Sequence, residues 1–190
     1  MKQPISLPRL LLQTLVVALL ATGASAWAQK VRLATSAGDI VFELDAGKAP
    51  ATTANFLQYV RDGHYNGLIF HRVMNGFMVQ GGGFKADMSE KPTRKPIALE
   101  SGNGLSNLRG SIAMARTNDP NSATAQFFIN VADNLRLDKS EGRDGYAVFG
   151  KVIEGMDVVD KIKEQPTRAE GMHQNLPVTP VTIRKATVEK

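Results

Sequence analysis

The chain has 190 residues, a length that favours one domain with enough sequence to bury a real core. Its 23 basic and 18 acidic side chains leave a net charge of +5, but the basic residues are scattered ("KPTRKP", "IRKATVEK") rather than striped, so no phosphate-tracking nucleic-acid surface is expected. With no cysteine and only three histidines, His64, His71 and His173, the chain offers neither a disulfide framework nor a ready zinc or copper ligand set, and no metal is expected.

In chain order, Lys2 and Arg9 precede the apolar run "LLLQTLVVALLATG", which gives way to the small residues of "ASAWA". That is the order of a secretory signal peptide, and Thr22 and Gly23 interrupt the run before it makes a comfortable membrane span. Residues 1–28 are read as a signal cleaved after Ala28, with Ala26 as the other site the small-residue rule allows. An uncleaved anchor is the competing reading. Residues 29–190 then form the mature domain. Loss of Lys2 and Arg9 leaves 21 basic against 18 acidic side chains, a net charge of +3. An exported chain without cysteine must hold by core packing, which suits the bacterial periplasm, with no membrane attachment after cleavage.

"VRLATS" and "GDIVFELD" read as two strands joined across Ala37-Gly38, the second alternating Ile40, Phe42 and Leu44 against Val41, Glu43 and Asp45. In "APATTANFLQYVRDG" the period changes. Pro50 suits a first helical turn, Phe56, Leu57 and Val60 form a stripe, and Gly63 supplies the stop. Short strand-like runs follow: "LIFHRV", "FMVQGG", "PIALE", "GSIAMAR", "AQFFINV" and "YAVFGKV". A second helix, "GMDVVDKIKEQ", ends before Pro166, and "VTIRKATVE" closes the chain as a strand. About eight strands and two helices without regular alternation predict a mainly β fold, a closed eight-stranded antiparallel barrel capped by two α-helices. Between the strands, "KADMSEKPTRKP", "ADNLRLDKSEGRDG" and "PTRAEGMHQNLPVTP" read as long loops.

"QGGGF" lacks the spaced GK[ST] of a phosphate cradle, so its glycines read as backbone features. "TNDPNS" lacks the glycine and terminal glutamate of a calcium loop. A hydrolase built on His71 and a serine such as Ser111 lacks a G-x-S-x-G elbow. What remains is apolar side chains with polar tips. By strand alternation Phe127 and Ile129 share one face of "AQFFINV", and Gln126 and Phe128 the other; Met78 pairs with Gln80, and Phe70 with Arg72 and Met74. A surface offering Phe128, Met78 and Phe77, rimmed by Gln80, Gln126 and Arg72, is a candidate binding dimple. Equally, Arg72 could be a cation snorkelling over ordinary half-buried strands.

"FHRVMNGFMVQGGGF", then "GSIAMAR", then "SATAQFFINV" resembles the signature of the cyclophilin family of peptidyl-prolyl cis-trans isomerases, and "YAVFGKVIEGMDVVDKI" matches its closing strand and second helix. The resemblance runs from Val31 to about Val188 and is strongest to exported cyclophilins of Gram-negative bacteria. It implies an active groove on the outer surface of a barrel, with no cofactor. By the same resemblance Arg72 is the catalytic arginine, and Phe77, Met78, Phe128 and Leu137 wall a proline pocket. Gln80 and Gln126 hold the substrate backbone, Ala115 and Arg116 offer main-chain hydrogen bonds, and Tyr146 stands at the far wall. The expected partners are proline-containing unfolded or extended polypeptides, met by a monomer that speeds folding of exported proteins. The alternative function is a non-catalytic, peptide-binding chaperone using the same groove. Three departures from the family pattern stand out. Arg136 occupies a position where an aromatic is usual, which implies weak cyclosporin affinity; Tyr146 replaces a histidine and Arg116 an asparagine common in eukaryotic members.

Overall fold

A computed structural model describes residues 29–189, so the expected signal segment lies outside the described residues. The chain runs as β1 (Gln29–Thr35), β2 (Gly38–Leu44), α1 (Pro50–Arg61), β3 (Leu68–Met74), β4 (Met78–Lys85), β5 (Ser111–Met114), β6 (Phe127–Asn130), β7 (Val148–Glu154), α2 (Met156–Lys163), β8 (Thr167–Glu170), β9 (His173–Pro177) and β10 (Ile183–Glu189). Eight strands form one antiparallel sheet in the order β10-β1-β2-β7-β5-β6-β4-β3. The mainly β, two-helix reading is correct. Closure is not: β3 and β10 remain edges, joined by the Ile69–Thr182 bridge and by two backbone bonds, Gly67 N–H to the Ile183 carbonyl and Phe70 N–H to that of Val181. The sheet is therefore a curled, open half-barrel. Two bulges on the β3–β4 pair interrupt the register that a full ladder needs, and β9 packs against β3.

Two further expectations change. "PTRAEGMHQNLPVTP" is not a plain loop but the β8–β9 hairpin, a separate two-stranded sheet turning at Gly171, which has a positive φ of 57°. "PIALE" makes no strand beyond the single Ile97–Ala123 bridge. Its glutamate has another use. The Glu100 carboxylate accepts from the backbone N–H groups of Ala51 (3.1 Å) and Thr52 (2.8 Å) and from the Thr52 hydroxyl. The first turn of α1, which has no capping side chain of its own and no acidic residue, is thereby capped from a distant segment.

The strands divide their side chains between two apolar layers. On the concave side, Phe42, Phe56, Tyr65, Phe70, Phe127, Ile129 and Phe149 are fully buried in the main core, with Phe56 and Phe127 edge-to-face at 5.4 Å between centroids. On the convex side, Met78, Ala113, Phe128 and Val148 form a second cluster, with Met74, Phe77, Leu105, Ala115, Leu137 and Tyr146 packed against it. Period-two alternation in β6 produces this division, as the sequence predicted: Phe127 and Ile129 go inward and Phe128 outward.

Candidate active site

The site is built on the convex cluster. A dimple of about 90 Å³ is lined by Arg72, Phe77, Met78, Gln80, Ala115, Arg116, Phe128, Leu137 and Tyr146. Nine of the ten sequence-predicted site residues thus line one concavity, and the tenth, Gln126, bonds to its rim. Met78 and Phe128 are almost wholly buried and form the floor. Larger concavities, of about 750 Å³ along β2 and β7 and about 410 Å³ under the β8–β9 hairpin, do not gather this combination of apolar floor and converging polar groups.

Arg72 reaches this face by a route that alternation misreads. Phe70 and Arg72, two apart, should share a face, yet Phe70 is in the main core and Arg72 is half-buried on the convex side. In the ladder, Phe70 pairs with Gly81 while Arg72 pairs with Gln80, so His71 is an extra residue in β3. The bulge resets the parity, which sends Val73 back into the core and Arg72 out to the dimple.

The guanidinium is oriented by a short relay. Arg72 Nη1 donates to Gln80 Oε1 at 3.3 Å, and Gln80 Nε2 donates to Gln126 Oε1 at 2.9 Å. Gln80 is the one side-chain hydrogen-bond partner of Arg72 among the described residues, so other N–H groups of its five-donor fork remain for a ligand. The glycine run makes room for the relay. A Cβ on Gly83 would lie 2.6 Å from the Gln126 amide nitrogen, and one on Gly81 would lie 2.9 Å from the Phe70 ring. The "QGGGF" glycines are thus seats for neighbouring side chains, in addition to the positive φ of 88° at Gly82.

The remaining walls rest on aromatic contacts. Tyr146 meets Phe128 edge-to-face at 5.7 Å, and the Arg116 guanidinium lies 4.6 Å over the Tyr146 ring while donating to the Gly145 carbonyl. Arg136, standing where an aromatic is usual, places its guanidinium 4.8 Å over the Phe77 ring. The planar group stacks on the wall from outside and so takes over part of the aromatic's packing role. Ala115 N–H is engaged by the Gln126 carbonyl at 2.9 Å, which leaves its carbonyl as the group to offer an extended peptide.

His71 does not face the dimple. Its ring packs edge-to-face on Phe84 at 4.7 Å, its Nδ1 has no partner among the described residues, and burial with His173 nearby pushes its pKa down to about 4. Ser111 Oγ donates to the Leu108 carbonyl and accepts from Asn130, so the hydrolase pairing has no geometric basis. Among the described residues no group of three or more His, Cys, Asp or Glu could hold a metal ion.

Sequence reasoning missed one set of residues beneath the walls. Asn107, Asn130 and Asn134 are buried and hydrogen-bonded to one another and to Asp138. The available signal was Asn130 at the end of the apolar "FFIN", a polar residue on a buried strand that must find partners.

The family model for cyclophilin type peptidyl-prolyl cis-trans isomerase/CLD matches residues 30–188. The chain is 56% identical over 160 residues to peptidyl-prolyl cis-trans isomerase A of Dickeya dadantii (strain 3937), covering 84% of each chain. It is 55% identical over 160 residues to peptidyl-prolyl cis-trans isomerase B of Escherichia coli (strain K12), covering 82% of this chain and 97% of that one. Among solved structures, a Cryptosporidium parvum cyclophilin type peptidyl-prolyl cis-trans isomerase in the presence of the dipeptide Ala-Pro is similar with a TM-score of 0.71 at 27% identity, covering 85% of this chain and 99% of that one.

Proposed function

The chain belongs to the cyclophilin family and is a peptidyl-prolyl cis-trans isomerase, and from that premise we propose that it turns X–Pro bonds of exported polypeptides in the dimple beside Arg72. The chemistry asks for little beyond such a site. Rotation about an X–Pro bond faces a barrier of about 18–20 kcal/mol because the amide must give up its resonance. No bond is made or broken, so no nucleophile is required.

In the twisted transition state the proline nitrogen regains a lone pair. A donor held near it binds the twisted form better than the planar one, and that difference is catalysis. Arg72 is suited to this role because a guanidinium stays charged at any physiological pH. Preorganised donors at developing charge contribute roughly 3 to 4 kcal/mol, or about 10² to 10³ in rate. Phe77, Met78, Phe128 and Leu137 grip the pyrrolidine ring while the preceding carbonyl swings. Gln80, Gln126, the Ala115 carbonyl and the Arg116 main chain hold the flanking backbone, with Tyr146 closing the far wall.

The observation that carries the site assignment is a half-buried arginine, tethered through one side-chain bond, at the rim of an apolar dimple floored by Met78 and Phe128. The test is proline-limited refolding, together with protease-free NMR exchange on an Ala-Pro peptide. Arg72→Ala is expected to lower kcat/KM by about 10² to 10³ with the fold intact. Wild-type rate enhancement in that variant sinks the assignment. The cellular setting in this reading is the periplasm, reached through cleavage of residues 1–28, with the enzyme acting as a monomer on exposed X–Pro segments. Fractionation followed by N-terminal sequencing checks it, with Gln29 as the expected first residue.

A further inference from the structure

The walls of the dimple come from chain segments far apart in sequence, and one buried asparagine touches several of them. Asn134 is 5% exposed. Its Nδ2 donates to the Phe77 carbonyl at 2.8 Å and to Asn130 Oδ1 at 2.7 Å, which uses both of its amide hydrogens. Its backbone N–H donates to the Asn107 carbonyl at 2.7 Å, and its own carbonyl accepts from Leu137 N–H at 2.8 Å.

From there the connection closes on itself. Asn130 Nδ2 donates to Asn107 Oδ1 at 3.1 Å. Asn107 then donates to Asp138 Oδ1 twice, from its backbone N–H at 2.7 Å and its Nδ2 at 2.8 Å. Asp138 follows Leu137 directly, and the Leu137 carbonyl accepts from Tyr146 N–H at 2.9 Å. Phe77 on the β3–β4 turn, and Leu137 and Tyr146 at two points of the β6–β7 connection, are therefore tied to one buried polar frame. A frame whose members satisfy one another has a single arrangement, and small displacements cost its hydrogen bonds.

We propose that Asn134 is a positioning residue that sets the width of the proline pocket, and thereby its selectivity for a five-membered ring. Asn134 acts through Phe77 and Leu137. The inference rests on the proposed assignment of the dimple as the proline site.

Ring size is the property to measure. The pipecolyl homologue of proline carries one more ring methylene, and a pocket of fixed width rejects one extra methylene by roughly 10- to 200-fold. The experiment measures kcat/KM by protease-free NMR exchange on an Ala-Pro peptide and on its Ala-pipecolyl counterpart, for the wild type and Asn134→Ala. The ratio of the two values is independent of how much enzyme is folded, so a merely structural role leaves it unmoved. Loss of the tether should reduce the preference for proline by about fivefold or more, since a wall displaced by a fraction of an ångström changes the fit directly. A ratio within about twofold of wild type in a folded variant overturns the inference. If Asn134→Ala does not fold, Asp138→Ala, at the partly exposed end of the frame, decides by the same criterion. The underlying site assignment fails separately, if Arg72→Ala keeps the wild-type rate on the proline peptide, and this inference falls with it.

Discussion

Neighbouring residues Arg72 and His71 meet opposite fates on one bulge. Arg72 goes to the wet rim of the dimple, where its charge needs no burial. His71 goes under Phe84, and because burial disfavours the imidazolium its pKa falls to about 4. In the unfolded chain the group titrates near 6.5, so between those values the unfolded state binds more protons than the native one. Stability is therefore complete above about pH 6.5, falls as pH drops toward 4, and loses up to about 3 kcal/mol from this group. Urea unfolding from pH 7.5 to 4 should show that slope, and His71→Gln should flatten it. Isomerase activity should be level from pH 6 to 8 apart from any loss of fold, because the proposed chemistry uses a guanidinium, which stays charged there, and no imidazole. A histidine-dependent hydrolase would instead show a titration in that window. The departure at Arg136 also acquires a physical account: its guanidinium stacks on Phe77. Arg136→Ala should raise KM for Ala-Pro peptides by a few-fold, as expected for removal of a contact of about 1 kcal/mol, with kcat less affected.

Among the elements, the β3–β4 pair does most to set the site. Its extra residue at His71 turns Arg72 outward, and the glycines of β4 leave space for the side chains that orient it. Gly83→Ala tests this directly. The new Cβ would sit 2.6 Å from Gln126 Nε2 and 2.9 Å from its Cγ, so Gln126 must move and the relay to Gln80 and Arg72 breaks. Activity should drop about tenfold while the unfolding midpoint shifts little, since a surface-ward glutamine can relocate. Activity equal to wild type would mean that the relay does not orient Arg72. Other elements show why strand signals alone mislead. "PIALE" has strand-like composition, yet its value to the fold is a single carboxylate at the start of α1. The β8–β9 hairpin has weak strand character, with every residue of β8 exposed, and it forms through pairing and packing on β3 that no local pattern announces.

For the whole molecule, the curled sheet puts its main core on one side and the dimple on the other, so that the candidate site is an outward face of the same strands that hold the protein together. The seam between β3 and β10 is its weakest line, closed by a bridge and two backbone bonds. In hydrogen exchange the Gly67 and Phe70 amides should exchange well before those of Ile40 and Phe42, which lie in central β2; equal protection would argue for effective closure. The amino-acid sequence by itself determined the two helices, the strands of the main sheet, the inward and outward residues of β6 and the absence of disulfides, because periodicity and composition are local properties of the chain. Tertiary structure alone decided how Arg72 leaves the core face, how far the sheet closes, and that three asparagines and an aspartate tie the walls of the dimple together. Those outcomes depend on register and on contacts between residues far apart in the chain, such as Asn134 with Phe77 at a separation of 57 and Ile69 with Thr182 across the seam, and nothing in a local stretch of sequence encodes them.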